Sequence, residues 1–196
     1  MEEIYETLKF SSYPGTLDEA TLPSNLNSKY HRVSDVQKLK IEKNFNIFHA
    51  NMNGLESKFV NLHTFLNGSC SAFDVVAITE TTEHIEHSFL KNISMEGFKL
   101  YNTPSRSAKG GAALYVNKDF DVIERKDLKS NSDLYESVWI EIKNKNSKNI
   151  VCGCVYRHPS KLNSDFNVFN KYLDSSLKKL LMKKKIMYEV ILILIC

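Results

Sequence analysis

Three polar residues sit where runs of alternating apolar residues end, and together they could act on a phosphate ester. Asn51 closes the run Phe45, Ile47, His49, Glu80 follows Val75-Val76-Ala77-Ile78-Thr79, and Tyr156 ends the run that starts at Asn149. A carboxylate at a strand terminus suits a hard divalent cation, because Mg²⁺ prefers oxygen ligands and keeps several waters. An asparagine amide can orient a phosphate oxygen or a metal-bound water. A tyrosine hydroxyl can donate to charge developing on a phosphoryl oxygen. Each also has a plainer reading taken alone: a solvated or capping carboxylate, a turn asparagine, a packed aromatic with its tip in water.

The elements that would position these residues follow from periodicity. From Asn44 onward, apolar and polar residues alternate as in a strand ending near Asn51. Leu55, Phe59, Leu62 and Leu66 then recur at helical spacing, and Asn67-Gly68 supplies a helix stop. Residues 73 to 78 read as a short buried strand that delivers Thr79 and Glu80. Further strands are predicted over 97–101, 111–116, 120–125, 137–143 and 149–156, with a loop over 103–109. Phe166, Phe169, Leu173, Leu177 and Leu180 mark a second amphipathic helix, followed by a lysine-rich stretch and an apolar run from Val190 to Cys196. Strands and helices in this order predict an α/β layered domain containing at least one mixed sheet. Residues 1–43 show recurring breakers and no sustained period, and read as a loosely ordered leader to a domain over 44–196.

The bulk numbers bound this reading without deciding it. The 196 residues are 42% hydrophobic and 25% charged, with 7 Gly and 4 Pro, a globular composition with room for one domain. A net charge of +3 permits a polyanionic partner and does not demand one. The 4 cysteines include the pair Cys152 and Cys154, whose side chains share one face if the segment is a strand. With no second Cys/His pair at ligand spacing they make a poor zinc site, and reduced, packed thiols of an intracellular protein are expected. The acidic N-terminus lacks a signal-peptide pattern, and no segment is long and apolar enough for a membrane helix. A non-secreted protein with no membrane partner is expected.

The strings around the three residues resemble endonuclease domains of non-LTR (LINE-like) retrotransposons, members of the endonuclease/exonuclease/phosphatase superfamily. The resemblance runs in order through Phe48-His49-Ala50-Asn51-Met52-Asn53-Gly54-Leu55 and Phe73-Asp74-Val75-Val76-Ala77-Ile78-Thr79-Glu80-Thr81. It continues through Lys109-Gly110-Gly111-Ala112-Ala113-Leu114-Tyr115-Val116, through 135–142, and through Val155-Tyr156-Arg157-His158-Pro159. It covers roughly residues 45 to 182 and implies two packed sheets flanked by helices, a four-layer fold that is incomplete here. It also implies phosphodiester hydrolysis of DNA with Mg²⁺ (or Mn²⁺). Glu80 would be the metal-ligating carboxylate, Asn51 would help to position metal and phosphate, and Tyr156 would contact the scissile phosphate. Arg106 lies in a loop that could touch the DNA backbone. His158 is not assigned a role, because the family's catalytic histidine lies near its C-terminus. A functional relative would work in the nucleus, where its DNA substrate lies.

Two departures qualify the resemblance. Asn53-Gly54 stands where many relatives carry Arg-Ser or Ser-Ser, a tolerable change in a loop. After the second helix the family has a hydrophobic strand ending in G-D-F-N, whereas this chain reads Ile186 to Cys196 and ends. The string Ser164-Asp165-Phe166-Asn167 has similar letters but comes too early and begins a predicted helix, with Ser164 as its cap. The later Asp-His element is absent too. Negligible nicking, weak metal binding and a marginal fold prone to self-association through exposed apolar strands are therefore expected. Two other readings stay open: another phosphoesterase of the superfamily, such as a phosphatase or deadenylase, and a non-catalytic nucleic-acid-binding or interaction fragment using Arg106 and Lys178 to Lys185.

Overall fold

In the computed structural model the described residues are 45–67, 73–82, 92–106, 109–145, 147–159, 163–181 and 188–195. The leader, the proposed helix stop at Gly68, Cys70, the lysine stretch at 183–185 and Cys196 lie outside them. The first half of the chain gives β1 (Ile47–Asn51), α1 (Leu55–Asn67), β2 (Val75–Thr79), β3 (Phe98–Thr103) and β4 (Ala112–Asn117). These strands form a sheet in the order β1-β2-β4-β3. β1 and β2 run parallel, joined by α1 as a crossover, and the other pairs are antiparallel. The second half gives β5 (Val122–Glu124), β6 (Ser130–Asn131), β7 (Tyr135–Ile142), β8 (Asn149–Arg157), α2 (Asn163–Leu181) and β9 (Tyr188–Ile195). Its sheet has the order β5-β7-β8-β9, with β6 also on β7, and β9 runs parallel to β8.

Side-chain alternation turns these two sheets into layers. Phe48, Val76, Ile78, Ala113 and Tyr115 pack on the α1 side with the four predicted stripe residues Leu55, Phe59, Leu62 and Leu66. Their strand neighbours Val75, Ala77, Leu114 and Val116 face the other way, onto Val138, Ile140, Cys152 and Cys154 of the second sheet. Beyond that sheet, Trp139, Val151 and Val155 meet Phe169 and Leu180 of α2. The order is thus helix, sheet, sheet, helix, as the α/β sandwich reading expects.

Trp139 depends on a missing side chain. It lies in register with Gly153 across β7 and β8, and a Cβ at Gly153 would collide with its ring. The indole N–H, held flat in that space, donates to the Tyr172 hydroxyl of α2 at 2.9 Å.

Several expected boundaries shift. β3 continues to Thr103, into the predicted loop, and β7 begins at Tyr135, two residues earlier than expected. The two-residue β6 escapes any periodicity argument. α2 begins at Asn163, so Ser164 lies in its first turn instead of capping it, with its hydroxyl 3.4 Å from Asp165 Oδ1. The final apolar run, a hazard if unpaired, is paired along one edge: β9 matches β8 over eight residues, from Tyr188↔Asn149 to Ile195↔Tyr156. Ile191 and Ile193 pack, partly buried, toward the core between the sheets and Leu192 toward α2, while Val190 stays exposed.

Candidate active site

Both sheets deliver polar residues at the same end of the sandwich. β1 and β2 are parallel, so Asn51 and Thr79 finish side by side, with Glu80 the next residue along. On β8 the residues facing between the sheets are Cys152, Cys154 and Tyr156, and Tyr156 pairs in register with Glu136 on β7. The apolar core therefore ends in a polar rim.

Glu80 is the centre of that rim. Asn51 Nδ2 donates to its Oε1 at 2.9 Å, and the Tyr156 hydroxyl is a second hydrogen-bond partner of the same carboxylate. The Tyr156 side chain is only 2% exposed. Burial, followed by the negative charge of Glu80 and its hydrogen bond, then Glu136, pushes the phenol up to about 12. Tyr156 therefore stays protonated and remains a donor at neutral pH.

The backbone at Glu80 is unusual. Glu80 has φ 53° and Thr82 φ 56°, the left-handed region that non-glycine residues rarely adopt. Neighbouring backbone bonds fix this conformation: Met52 N–H to Thr79 C=O (3.0 Å), Gly54 N–H to Glu80 C=O (2.8 Å) and Thr82 N–H to Gly110 C=O (2.9 Å). The turn after β1 and the loop before β4 thus grip the segment from both sides. The hydroxyl of Thr81, within it, is buried and has no hydrogen-bond partner among the described residues.

Arg106 is exposed on the loop before β4. Its Nε lies 3.3 Å from Asp133 and its Nη1 donates to the Asn131 carbonyl at 3.3 Å. The structure thus joins Asn51, Glu80 and Tyr156 directly, and places Arg106 on an adjoining loop held to the turn before β7.

Sequence reasoning passed over Glu136 and set His158 aside. Glu136 is fully buried, and its Oε1 lies 2.9 Å from Nε2 of His158, whose ring meets the Tyr156 ring edge-on at 5.1 Å. Alternation carried one step further along each strand, Val138 to Glu136 and Tyr156 to His158, would have put both on the Tyr156 face.

An oxygen donor set of Glu80 and the Asn51 amide suits a hard cation that keeps most of its waters or takes oxygens from a bound phosphate. Among the described residues no three of His, Cys, Asp and Glu gather closely enough to enclose an ion. Nor is any helix among them long and apolar enough to cross a membrane. Cys152 and Cys154 are free and buried between the sheets, with burial pushing both thiols up to about 12.

No family model and no curated protein matches the chain. Its fold does match solved structures. The AP endonuclease LMAP of Leishmania major superposes with a TM-score of 0.57 at 12% identity, over 74% of this chain and 54% of that one. ANGEL2, a 2',3'-cyclic phosphatase, gives 0.56 at 12% identity, over 76% and 51%. The endonuclease domain of TRAS1, a telomere-specific non-LTR retrotransposon, gives 0.49 at 16% identity, over 74% and 59%. The chain shares its two-sheet fold with the AP endonuclease and the cyclic phosphatase, and spans between about half and three fifths of the length of these three structures.

Proposed function

We propose that the chain carries one side of a phosphodiesterase site that acts on DNA with Mg²⁺ or Mn²⁺. The observation that carries this reading is the convergence of the Asn51 amide and the Tyr156 hydroxyl on the Glu80 carboxylate at the open end of the sandwich. Glu80 and Asn51 would hold the ion, which when bound supplies positive charge to a phosphoryl group. Tyr156, protonated and fixed by its buried ring, would donate to a non-bridging oxygen as charge builds there. Arg106 would contact a neighbouring backbone phosphate, exchanging Asp133 for it. The fold shared with an AP endonuclease supports a nucleic-acid substrate.

Turnover by this chain alone should be slow, because no third ligating side chain accompanies Glu80 and Asn51 among the described residues. Positioning without a general base typically forgoes about 10²- to 10⁴-fold in rate. Binding is therefore the sharper test. Affinity for a fluorescent DNA duplex should rise with Mg²⁺, and Glu80→Ala should erase that rise, while plasmid nicking stays near the EDTA background. Steeply salt-dependent binding that ignores both Mg²⁺ and Glu80→Ala would instead support a non-catalytic nucleic-acid module. Phosphate release from small esters, with plasmid left intact, would support a phosphatase of the same fold.

A further inference from the structure

Directly behind Tyr156 lies a buried carboxylate that the proposed reading does not use. Glu136 continues the inward row Val138, Ile140, Ile142 on β7, where packing alone would favour another apolar residue. It is fully buried, and among the described residues its only ion-pair partner is the imidazole of His158. Two backbone groups from the loop before β4 complete its contacts, the N–H of Arg106 and the N–H of Gly111, both long at 3.4 Å. A buried carboxylate held by so few bonds is costly to keep. It is, however, the point where the parts of the site meet.

We infer that Glu136 and His158 form a positioning pair for the site. The carboxylate accepts the Nε2–H of His158 and so orients the ring, whose edge stands against Tyr156 at an interplanar angle of 86°. That contact limits where the Tyr156 hydroxyl can point. The same carboxylate holds the backbone of Arg106, and through Gly110-Gly111 the hold extends to the Glu80 segment by way of the Thr82 to Gly110 bond. Gly110 makes the arrangement possible. Its φ is 128°, and a Cβ there would lie 2.6 Å from His158 Cε1 and 2.9 Å from Glu136 Oε2. Neither residue of the pair is asked to touch DNA; each acts through Tyr156 and the Arg106 loop.

The inference rests on the DNA reading above, and the test separates the two. The full chain, ¹⁵N-labelled, would be compared as wild type, Glu136→Gln, Tyr156→Phe and the double variant, each first shown to be folded by its near-UV circular dichroism. Duplex affinity in Mg²⁺ should fall about five- to tenfold for either single variant, the scale of one hydrogen bond. The double variant should lose less than the product of the two single losses, because both changes act in part through the Tyr156 hydroxyl; a fully multiplicative loss would overturn the pairing. The His158 ring nitrogens should show the Nε2–H tautomer in wild type and lose that bias in Glu136→Gln. If Glu136→Gln does not fold, His158→Gln and His158→Leu replace it: glutamine keeps an N–H donor and should retain affinity that leucine loses. Wild-type affinity in folded Glu136→Gln, equal affinity in the two His158 variants, or an Nδ1–H tautomer overturns the pairing while leaving the DNA reading standing. A wild type that does not bind DNA overturns both.

Discussion

Strand β7 carries two buried glutamates five positions apart, and their surroundings differ. Glu141, on the α2 side of the sheet, receives Arg125 Nη1 at 3.0 Å and Asn149 Nδ2 at 2.7 Å. The same guanidinium, 4% exposed, takes Asp127 through two further bonds of 2.8 and 2.7 Å. Asp127 foremost, and Glu141 with it, hold Arg125 protonated against the opposing effect of burial. Glu136, on the inward side, has one short bond to an imidazole and two long ones to backbone. One carboxylate is braced by a guanidinium that is itself held by a second carboxylate; the other leans on a single imidazole and two long backbone bonds. Burial alone therefore does not mark a functional carboxylate.

The largest effect that would test this contrast is at the braced end. Arg125→Met leaves Glu141 buried without its cation and should cost about 3–5 kcal/mol, read as a fall in urea midpoint or Tm. A loss under about 1 kcal/mol would mean that the brace is no stronger than a surface pair. A middle-sized effect belongs to His49, which has no carboxylate partner among the described residues and whose Nε2 lies 3.2 Å from the Thr79 hydroxyl. Burial lowers its pKa from 6.5 to about 4. The unfolded chain therefore takes up a proton that the folded one refuses, so stability should be fully present above about pH 6.5 and fall as pH drops toward 4. His49→Gln should flatten that part of the profile; an unchanged slope would assign the acid loss elsewhere. The smallest effect is expected at Lys178 and Asp174, an exposed i,i+4 pair at 2.6 Å on α2. Lys178→Ala should change stability by about 0.3–0.5 kcal/mol, within reach of careful denaturant titration.

What could be read from the sequence was what repeats. The α1 stripe, the fully buried β2 and the shared face of Cys152 and Cys154 each follow from a simple period, and the structure has them. Asn51, Glu80 and Tyr156 were legible as strand ends, and the resemblance supplied the reason to join them. β6 was not legible because two residues carry no period. Glu136 escapes the sequence pattern because the predicted strand starts at Ser137, two residues after β7 begins at Tyr135. His158 was set aside by analogy with a family histidine, although its place two residues beyond Tyr156 put it on the same face. The grip of the 104–111 loop on Glu136 and Thr82 is a long-range contact, which no local pattern encodes.

The left-handed backbone at Glu80 has a consequence for which residue suits that position. A glutamate in that conformation costs roughly 1–2 kcal/mol that glycine would not. Thr82, β-branched and equally far from its preferred region, adds a similar load. The segment is kept in place by bonds from the chain on either side, so the domain stays folded around its least comfortable residues. Stability and the proposed ligand role therefore ask for different residues at one position. On the proposed reading the strained glutamate is kept for the ion it would hold, and Glu80→Gly would trade that ligand for a more relaxed backbone.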